Sequence, residues 1–370
     1  MDRLKIAVAG AGLIAQVEHI PNLLAAPDRF AVVGVYDPSA ATRRFITDRY
    51  GIAGFDNLDR MLSSVQAEAL LIASPDFHHG QIAAKALDAG LHVFCEKPLC
   101  YGVGEIDDLI AKRDAAKKVL QIGYMKRFDP SYELLLQEID GLGGKLRFIG
   151  VEVNDPDAWP FVAHHATFKA EDVPALMIAE GRALQASQVE KAMGRALGGS
   201  LLQGFTGAYS SSLIHDLNLV NGILDHLGLA SRQALSGSFF SEGRGGSAVL
   251  AVNGGQARCH LAHVAVPHLA EYTERVSLFF DDRRFELLFP SPYLNHQQTR
   301  LLSYRSADHH LQVTEHRNGF GEAFRRELDG FWSAVRQGAP VRNTAEAARG
   351  DMQMVADLTR LAIAAEGNVS

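Results

Sequence analysis

The stretch "LKIAVAGAGLIAQ", residues 4–16, joins a short apolar run to a glycine turn and then to a helical pattern. Gly10 and Gly12 are followed by Ala15, with the spacing Gly-x-Gly-x-x-Ala. A turn of this kind between a buried strand and a helix presents backbone N–H groups that bind phosphate. The stretch therefore predicts the first strand of an α/β domain and a dinucleotide-binding turn made by Gly10, Gly12, Leu13, Ile14 and Ala15.

Four further apolar runs, with helical patterns between them, follow before residue 124: 31–37, 68–75, 92–96 and 118–124. They are nearly continuous runs rather than alternating ones, as expected of parallel strands that are buried on both faces. We predict a Rossmann-type, doubly wound parallel sheet over residues 1–124. Ligands of such sheets bind beyond the carboxyl ends of the strands.

An acidic residue supports the dinucleotide interpretation. Asp37 ends the second predicted strand, 22 residues after Ala15, where a carboxylate would bind the ribose hydroxyls of adenosine. It also favours NAD, because it would repel the 2′-phosphate of NADP. Two alternatives stay open. The glycines alone would suit an ordinary turn between a strand and a helix. Arg43 and Arg44 could reduce the preference for NAD over NADP, or they could simply lie on an exposed helix face.

The pattern changes after residue 124 and predicts a second domain over residues 125–370. Its residues 160–204 look mostly helical, and several strand-like runs occupy residues 233–316. Asn253-Gly254-Gly255 and Asp281-Asp282 resemble hairpin turns. We therefore expect an α+β domain with a large, mostly antiparallel open sheet, closed by helices near 319–337 and 344–365.

The composition excludes several classes of protein. The 370-residue chain is 47% hydrophobic and 21% charged with a formal net charge of −7, which indicates a two-domain globular protein without a nucleic-acid or membrane partner. Cys95, Cys100 and Cys259 form no disulfide or metal-binding pattern, so we expect a reduced, cytoplasmic protein. The adjacent histidine pairs lack a third ligand, so no metal site is expected.

The segment Glu96-Lys97-Pro98 stands where a later strand of the first sheet meets its loop. This edge of the sheet is where the nicotinamide half of a dinucleotide would lie. An ammonium group there would stabilise the alkoxide that develops as a hydride leaves, and Glu96 would balance its charge. The spacing alone is equally compatible with a chance ion pair on a surface loop.

Three motifs together resemble the Gfo/Idh/MocA oxidoreductase family, which includes glucose–fructose oxidoreductase and inositol 2-dehydrogenase. They are "GAGLIA", "ASPDFHHGQIAAKALDAGLHVFCEKPL" and "GYMKRFDPSY", and the likeness is dense over residues 4–132. The resemblance implies that Ser74, Pro75 and His79 border the cofactor, that Glu96 and Lys97 lie near the nicotinamide, and that Lys97 is catalytic. It also implies a homodimer or homotetramer formed through the second sheet. Arg127, in the third motif, is a candidate substrate-binding residue. For His79, the alternative to a place beside the cofactor is a role as a helix cap.

The chain departs from the family pattern in one place. Many relatives carry Asp-x-x-x-His on a helix, with the histidine as acid/base and the aspartate as substrate ligand. In "YSSSLIHDLNLV" the histidine is His215, but the residue four before it is Ser211. Asn218, three residues on, can share the face of His215. We interpret Ser211, His215 and Asn218 as parts of a changed substrate pocket, with a buried core histidine as the alternative.

Three functions fit these observations. The first is an NAD(P)-dependent oxidoreductase acting on a secondary hydroxyl of a sugar, glycoside or inositol, in which Lys97 and His215 handle the proton. The second is an enzyme of the same fold that uses NAD transiently for elimination or glycoside hydrolysis. The third is a non-catalytic NAD-binding sensor.

Overall fold

A computed structural model describes residues 3–367 of the chain, which form two compact units. Unit 1 contains the described residues within 1–124, 162–196 and 324–350, and unit 2 contains those within 125–161, 197–323 and 351–370. Both units are therefore discontinuous in sequence, whereas the sequence suggests two contiguous domains. Segments from late in the chain are built into unit 1, which local sequence patterns do not reveal.

Unit 1 contains the predicted Rossmann sheet. Its six strands are all parallel, in the order β3-β2-β1-β4-β5-β6, which reverses direction between β1 and β4. The strands are β1 Leu4–Ala9, β2 Phe30–Tyr36, β3 Gly54–Phe55, β4 Ala69–Ile72, β5 His92–Glu96 and β6 Leu120–Gly123. The two-residue edge strand β3 is not expected from the sequence, because it is too short to show a pattern.

Twelve α-helical segments are described in residues 3–367. They are α1 Ile20–Leu24, α2 Ala40–Tyr50, α3 Leu58–Ser64, α4 His79–Asp88, α5 Val103–Ala116, α6 Pro130–Glu138, α7 Trp159–Val162, α8 Ala175–Met193, α9 Gly199–Gln203, α10 Ile214–His226, α11 Ala323–Gln337 and α12 Ala345–Gly367. π-helical turns precede α1 and α10, at Ala15–His19 and Gly204–Leu213.

Two expectations about helices need correction. The helix expected from residue 319 begins only at Ala323, because Gly319 has a left-handed backbone with φ of +59°. The segment expected to be mostly helical over 160–204 is helical in α8 and in shorter pieces, but residues 163–174 lie between α7 and α8 without helix. Pro174, directly before α8, fits the helix start at Ala175.

Unit 2 contains an eight-stranded sheet in the order β14-β13-β12-β11-β7-β10-β9-β8. The β7–β10 pair is parallel and the other pairs are antiparallel. The strands are β7 Leu146–Asp155, β8 Arg232–Phe240, β9 Gly245–Val252, β10 Ala257–Ala265, β11 Thr273–Phe280, β12 Arg283–Phe289, β13 Arg300–Ala307 and β14 His310–Arg317. The two expected hairpin turns are confirmed, since they connect β9 to β10 and β11 to β12.

The core of unit 1 explains why a C-terminal helix belongs to it. Leu328, Phe331 and Trp332 of α11 pack with buried side chains of β1 and with Phe94 of β5. All three cysteines are unpaired and buried. Among the described helices, none combines the length and apolarity that a membrane crossing requires.

Candidate active site

The glycine turn lies at the carboxyl end of β1. Gly10 has φ of +92°, and a Cβ there would lie 2.5 Å from the backbone nitrogen of Ser74, so only glycine fits this close approach of β1 and β4. Gly12 differs, because a Cβ on it would meet no atom of the described chain within 4 Å. Open space beside the backbone at Gly12 is what a pyrophosphate requires. Leu13 and Ile14 are half-buried and Ala15 is fully buried, which allows close packing on the sheet.

Asp37 directly follows β2 and is bound to this turn. Its Oδ2 accepts the backbone N–H of Ala11 and its Oδ1 accepts that of Ser39, both at 2.9 Å. Partial burial raises the pKa of Asp37, although the two backbone hydrogen bonds oppose that shift. The guanidinium of Arg43 donates to the carbonyls of Asp37 and Pro38, at 2.7 and 2.9 Å, whereas Arg44 is exposed. The turn and the carboxylate together fit a dinucleotide.

His79 connects two loops at the same edge of the sheet. Its Nδ1 lies 2.8 Å from the carbonyl oxygen of Pro98, and its Nε2 lies 2.8 Å from that of Ser74. Carbonyl oxygens only accept hydrogen bonds, so the ring satisfies both contacts when both nitrogens carry protons. His79 thus fixes the loop of Ser74 and the exposed Pro75 against the loop that follows Lys97.

Glu96 ends β5 and Lys97 follows it, with a cis peptide bond between Lys97 and Pro98. Glu96 is buried and Lys97 is half-buried. Nε2 of His19 lies 2.6 Å from Oε1 of Glu96, and Oε2 of Glu96 accepts the backbone N–H of Lys97 at 3.3 Å. The backbone that carries the lysine is therefore tied to a buried histidine through Glu96.

A second glutamate, Glu327 of α11, completes a buried cluster with His19 and Glu96. One potential ligand atom from each residue lies within 4.8 Å of the others. This is a candidate metal centre by residue type. However, Nε2 of His19 is at hydrogen-bond distance from Glu96, closer than two ligands of one metal would approach. We therefore interpret the cluster as a hydrogen-bonded pair of His19 and Glu96, with the buried carboxyl group of Glu327 close to it.

Unit 2 carries the histidine that the sequence singles out. His215 lies in the first turn of α10 and is half-buried, and Ser211, in the preceding π-helical turn, is exposed. The neighbouring carboxylate of Asp216 is fully buried instead and accepts Nζ of Lys126 at 3.0 Å. Burial raises the pKa of Asp216 well above its usual value, although Lys126 opposes the shift. Asp216 is thus buried against Lys126, and it does not supply the acid that the family pattern implies four residues before the histidine.

Arg127 and Asn218 take part in a second buried network of unit 2. Nε of Arg127 donates to the carbonyl of Asn218 at 3.1 Å, and the amide of Asn218 donates to Oδ2 of Asp351 at 2.7 Å. Asn221 donates to the other oxygen of Asp351 at 2.6 Å. Burial raises the pKa of Asp351 to about 6, although the hydrogen bonds from Asn218 and Asn221 act to lower it. Arg127 thus contacts α10, and Asn218 connects α10 to α12.

Four residues that the sequence did not single out belong to these sites: Gln16, His19, Asp172 and Glu327. Their contacts connect positions far apart in the chain, such as Ser39 with Asp172, which are separated by 133 positions. Such pairs leave no local pattern. Of the four, Gln16 and His19 lie near a recognised motif, directly after Ala15 and one turn after it.

Comparison with known proteins agrees with this geometry. Residues 4–124 match the family model described as "Oxidoreductase family, NAD-binding Rossmann fold", GFO_IDH_MocA. Inositol 2-dehydrogenase of Salmonella paratyphi B is 31% identical over 140 residues, which are 37% of this chain and 41% of the relative. An uncharacterised oxidoreductase of Rhizobium meliloti is 33% identical over 162 residues, 42% of this chain and 48% of the relative. The chain thus aligns with less than half the length of these curated relatives.

Solved structures share the fold over almost the whole chain. UDP-N-acetylglucosamine 3-dehydrogenase of Acidithiobacillus ferrooxidans has a TM-score of 0.70 at 20% identity, covering 98% of this chain and 99% of its own. A 3-ketoreductase of Actinomadura kijaniata, solved with NADP and TDP-benzene, has a TM-score of 0.73 at 16% identity, covering 98% of both chains. The residues that match the family model, 4–124, are also those that form the parallel sheet of unit 1, so the family likeness and the fold agree over this part of the chain.

Proposed function

We propose that this protein is an NAD(P)-dependent oxidoreductase that acts on a secondary hydroxyl of a sugar, glycoside or inositol. The observation that carries the proposal is the position of Asp37, whose carboxylate is bound to the backbone of the glycine turn beside Gly12. The relatives support the substrate class, because they include an inositol dehydrogenase, a sugar-nucleotide dehydrogenase and a 3-ketoreductase.

Oxidation of a secondary alcohol removes a hydride and a proton. A bound nicotinamide dinucleotide supplies the hydride acceptor. We assign stabilisation of the developing negative charge to the ammonium group of Lys97, and transfer of the hydroxyl proton to the imidazole of His215. The hydrogen bond from the Lys97 backbone to buried Glu96 supports this assignment, since it restricts the main chain from which the lysine side chain extends.

The other candidate residues contact the substrate, support helix α10 or bind the cofactor. The exposed hydroxyl of Ser211 contacts the substrate in place of the aspartate found in relatives. Arg127 and Asn218 act indirectly, by holding α10 through the network around Asp351. The pyrophosphate is held by the glycine turn, which consists of Gly10, Gly12, Leu13, Ile14 and Ala15. Asp37 binds the ribose of adenosine. The cofactor is bordered by Ser74, Pro75, His79 and Glu96.

We further propose that NAD is preferred to NADP, because the carboxylate of Asp37 has the same sign of charge as a 2′-phosphate. Calorimetric titration of the purified protein tests this directly. Asp37→Ala should weaken NAD binding and reduce the difference in affinity between NAD and NADP. Tighter binding of NADP by the wild type would contradict the proposed preference.

The activity is tested by incubating the protein with NAD and a panel of sugars, glycosides and cyclitols while NADH absorbance is followed. NADH that accumulates in proportion to an oxidised product supports the proposal. Product formation without net NADH would indicate transient use of NAD. Tight NAD binding without any product across the panel would favour a sensor.

A further inference from the structure

Residues 163–174, which we call the strap, belong to unit 1 and pass close to the glycine turn. The strap is held first at Phe168. The buried side chain of Gln16 donates to the carbonyl of Phe168 at 2.9 Å and accepts its backbone N–H at 2.7 Å, while the same amide donates to the carbonyl of Ala11 at 2.7 Å. The ring of Phe168 stacks on Phe45 of α2, with centroids 5.7 Å apart. The strap is thus fixed to the turn that would hold the pyrophosphate.

The strap is held a second time at Asp172. One carboxylate oxygen accepts the hydroxyl of Ser39 at 2.5 Å, and the other accepts the backbone N–H of Ala41 at 3.0 Å. Ser39 caps α2, and its hydroxyl accepts the backbone N–H of Thr42 at 2.9 Å. The Ser39 hydrogen bond, followed by that of Ala41, lowers the pKa of Asp172, so its carboxylate is ionised at neutral pH.

Helix α8, which follows the strap, is fixed to unit 1 as well. Gln188 donates to the carbonyl of Phe77 at 2.9 Å, and Gln185 donates to the hydroxyl of Tyr101 at 2.7 Å. Gly181 packs so closely on Phe77 that an added Cβ would lie 2.9 Å from its ring. The strap therefore runs between two anchored points and is not a free loop that happens to touch α2.

Asp172 takes up donors that a 2′-phosphate would use. The backbone N–H of Ser39 is already bound by Asp37, and two further donors at this end of α2, the Ser39 hydroxyl and the Ala41 N–H, are bound by Asp172. A phosphate on the ribose that Asp37 binds would need such donors and a cation. Instead it would meet two carboxylates, and the nearby Arg43 is engaged with backbone carbonyls.

We propose that Asp172 is a specificity-determining residue, which acts with Asp37 to exclude the 2′-phosphate of NADP from the dinucleotide site. This inference rests on the proposed function, since it presupposes that the glycine turn binds a dinucleotide. It assigns part of cofactor selection to a strap far along the chain from the recognised motif.

Calorimetric titrations with NAD and NADP test the inference on the full-length wild type, Asp172→Asn, Asp172→Ala and the control Glu171→Ala. Glu171 is the adjacent strap residue, with the same charge and an exposed side chain. Asp172→Ala should tighten NADP binding on the order of tenfold by freeing two donors and removing a charge, with NAD binding little changed. Asp172→Asn keeps an acceptor and should give a smaller shift in the same direction. Glu171→Ala should leave the ratio of the two affinities unchanged.

Three outcomes would overturn the inference. The first is a ratio of NADP affinity to NAD affinity that is unchanged in both Asp172 variants. The second is an equal gain in affinity for both dinucleotides, which would mean that the strap only obstructs the site. The third is the same change of the affinity ratio in Glu171→Ala. Failure of the wild type to bind either dinucleotide would instead reject the proposed function. Thermal unfolding of each variant checks that the fold is retained.

Discussion

Nε2 of His19 lies 2.6 Å from Oε1 of Glu96, and both side chains are buried. Burial alone would raise the pKa of Glu96, but the hydrogen bond and charge of His19 outweigh it, so the pKa is lowered. Glu327 lies in the same cluster with the opposite shift. Its pKa is raised well above the usual value by burial, then by the charges of Glu96 and Glu18. The pKa values of the two glutamates are therefore shifted in opposite directions, downward for Glu96 and upward for Glu327.

This difference predicts how the stability of the protein depends on pH. Because the folded-state pKa of Glu327 is raised, the folded state binds more protons than the unfolded state above about pH 4.5, and stability falls as the pH rises. Glu327→Gln keeps the shape of the neutral acid and removes its titration. Relative to wild type, the free energy of unfolding of the variant should rise by about 1.4 kcal/mol per pH unit until the folded pKa is reached.

Urea unfolding at about pH 5 and about pH 8 measures this effect. Glu180→Gln is the matched control, because it removes an exposed glutamate of the same unit. The control should keep the pH dependence of the wild type. Parallel curves for wild type and Glu327→Gln would show that Glu327 is ionised in the folded protein.

Lys97→Ala should lower kcat by orders of magnitude and leave NAD affinity nearly intact. The ammonium is proposed to stabilise charge that develops only in the transition state, so its loss should affect turnover and not cofactor binding. Steady-state kinetics and calorimetry measure the two quantities separately. Lys85→Ala is the control, since Lys85 is exposed on α4 of the same unit. Loss of NAD binding in Lys97→Ala, with kcat unchanged at saturating NAD, would assign the lysine to the cofactor instead.

The fold was largely predictable, because its strongest signals are local. Buried parallel strands leave continuous apolar runs, and the glycine turn is confirmed at Gly10, where a side chain would collide with Ser74. Strand β13 has a weak signal in the sequence, because it mixes arginine, serine and leucine without a clear alternation. The contacts of Glu327 and Asp172 were inaccessible for another reason: they join residues that only the folded chain brings together.

The second sheet predicts self-association. Along β10 the side chains of Cys259, Leu261 and His263 are buried, whereas the alternate residues, including His260, are exposed. On this second face Phe148 contacts His260 and Phe279 edge to face, with ring centroids 5.0 and 5.8 Å apart. A partly apolar, aromatic sheet face is a suitable surface for a second copy of the chain, and we propose a homodimer or homotetramer.

Light scattering at micromolar concentration measures the assembly. His260→Glu should shift the protein to a smaller species, because it adds a charge to the proposed interface. Leu176→Glu is the control, since Leu176 is an exposed apolar residue of unit 1. A monomeric wild type, or an assembly unaffected by His260→Glu and reduced by the control, would contradict an interface on this sheet.

The last prediction concerns His215 and its missing acidic neighbour. His215→Ala should reduce kcat roughly 10²–10⁴-fold, the usual effect of losing a general acid or base. Ser211→Asp places a carboxylate four residues before the histidine, where it would favour the imidazolium and raise the histidine pKa. If His215 accepts the proton in its neutral form, the rise of kcat with pH should move to higher pH in Ser211→Asp, whereas Ser211→Asn should leave it in place. The measurement is kcat against pH for the three variants on the substrate that yields NADH. A pH profile unchanged by Ser211→Asp, together with full activity of His215→Ala, would remove the histidine from the mechanism and assign proton transfer elsewhere.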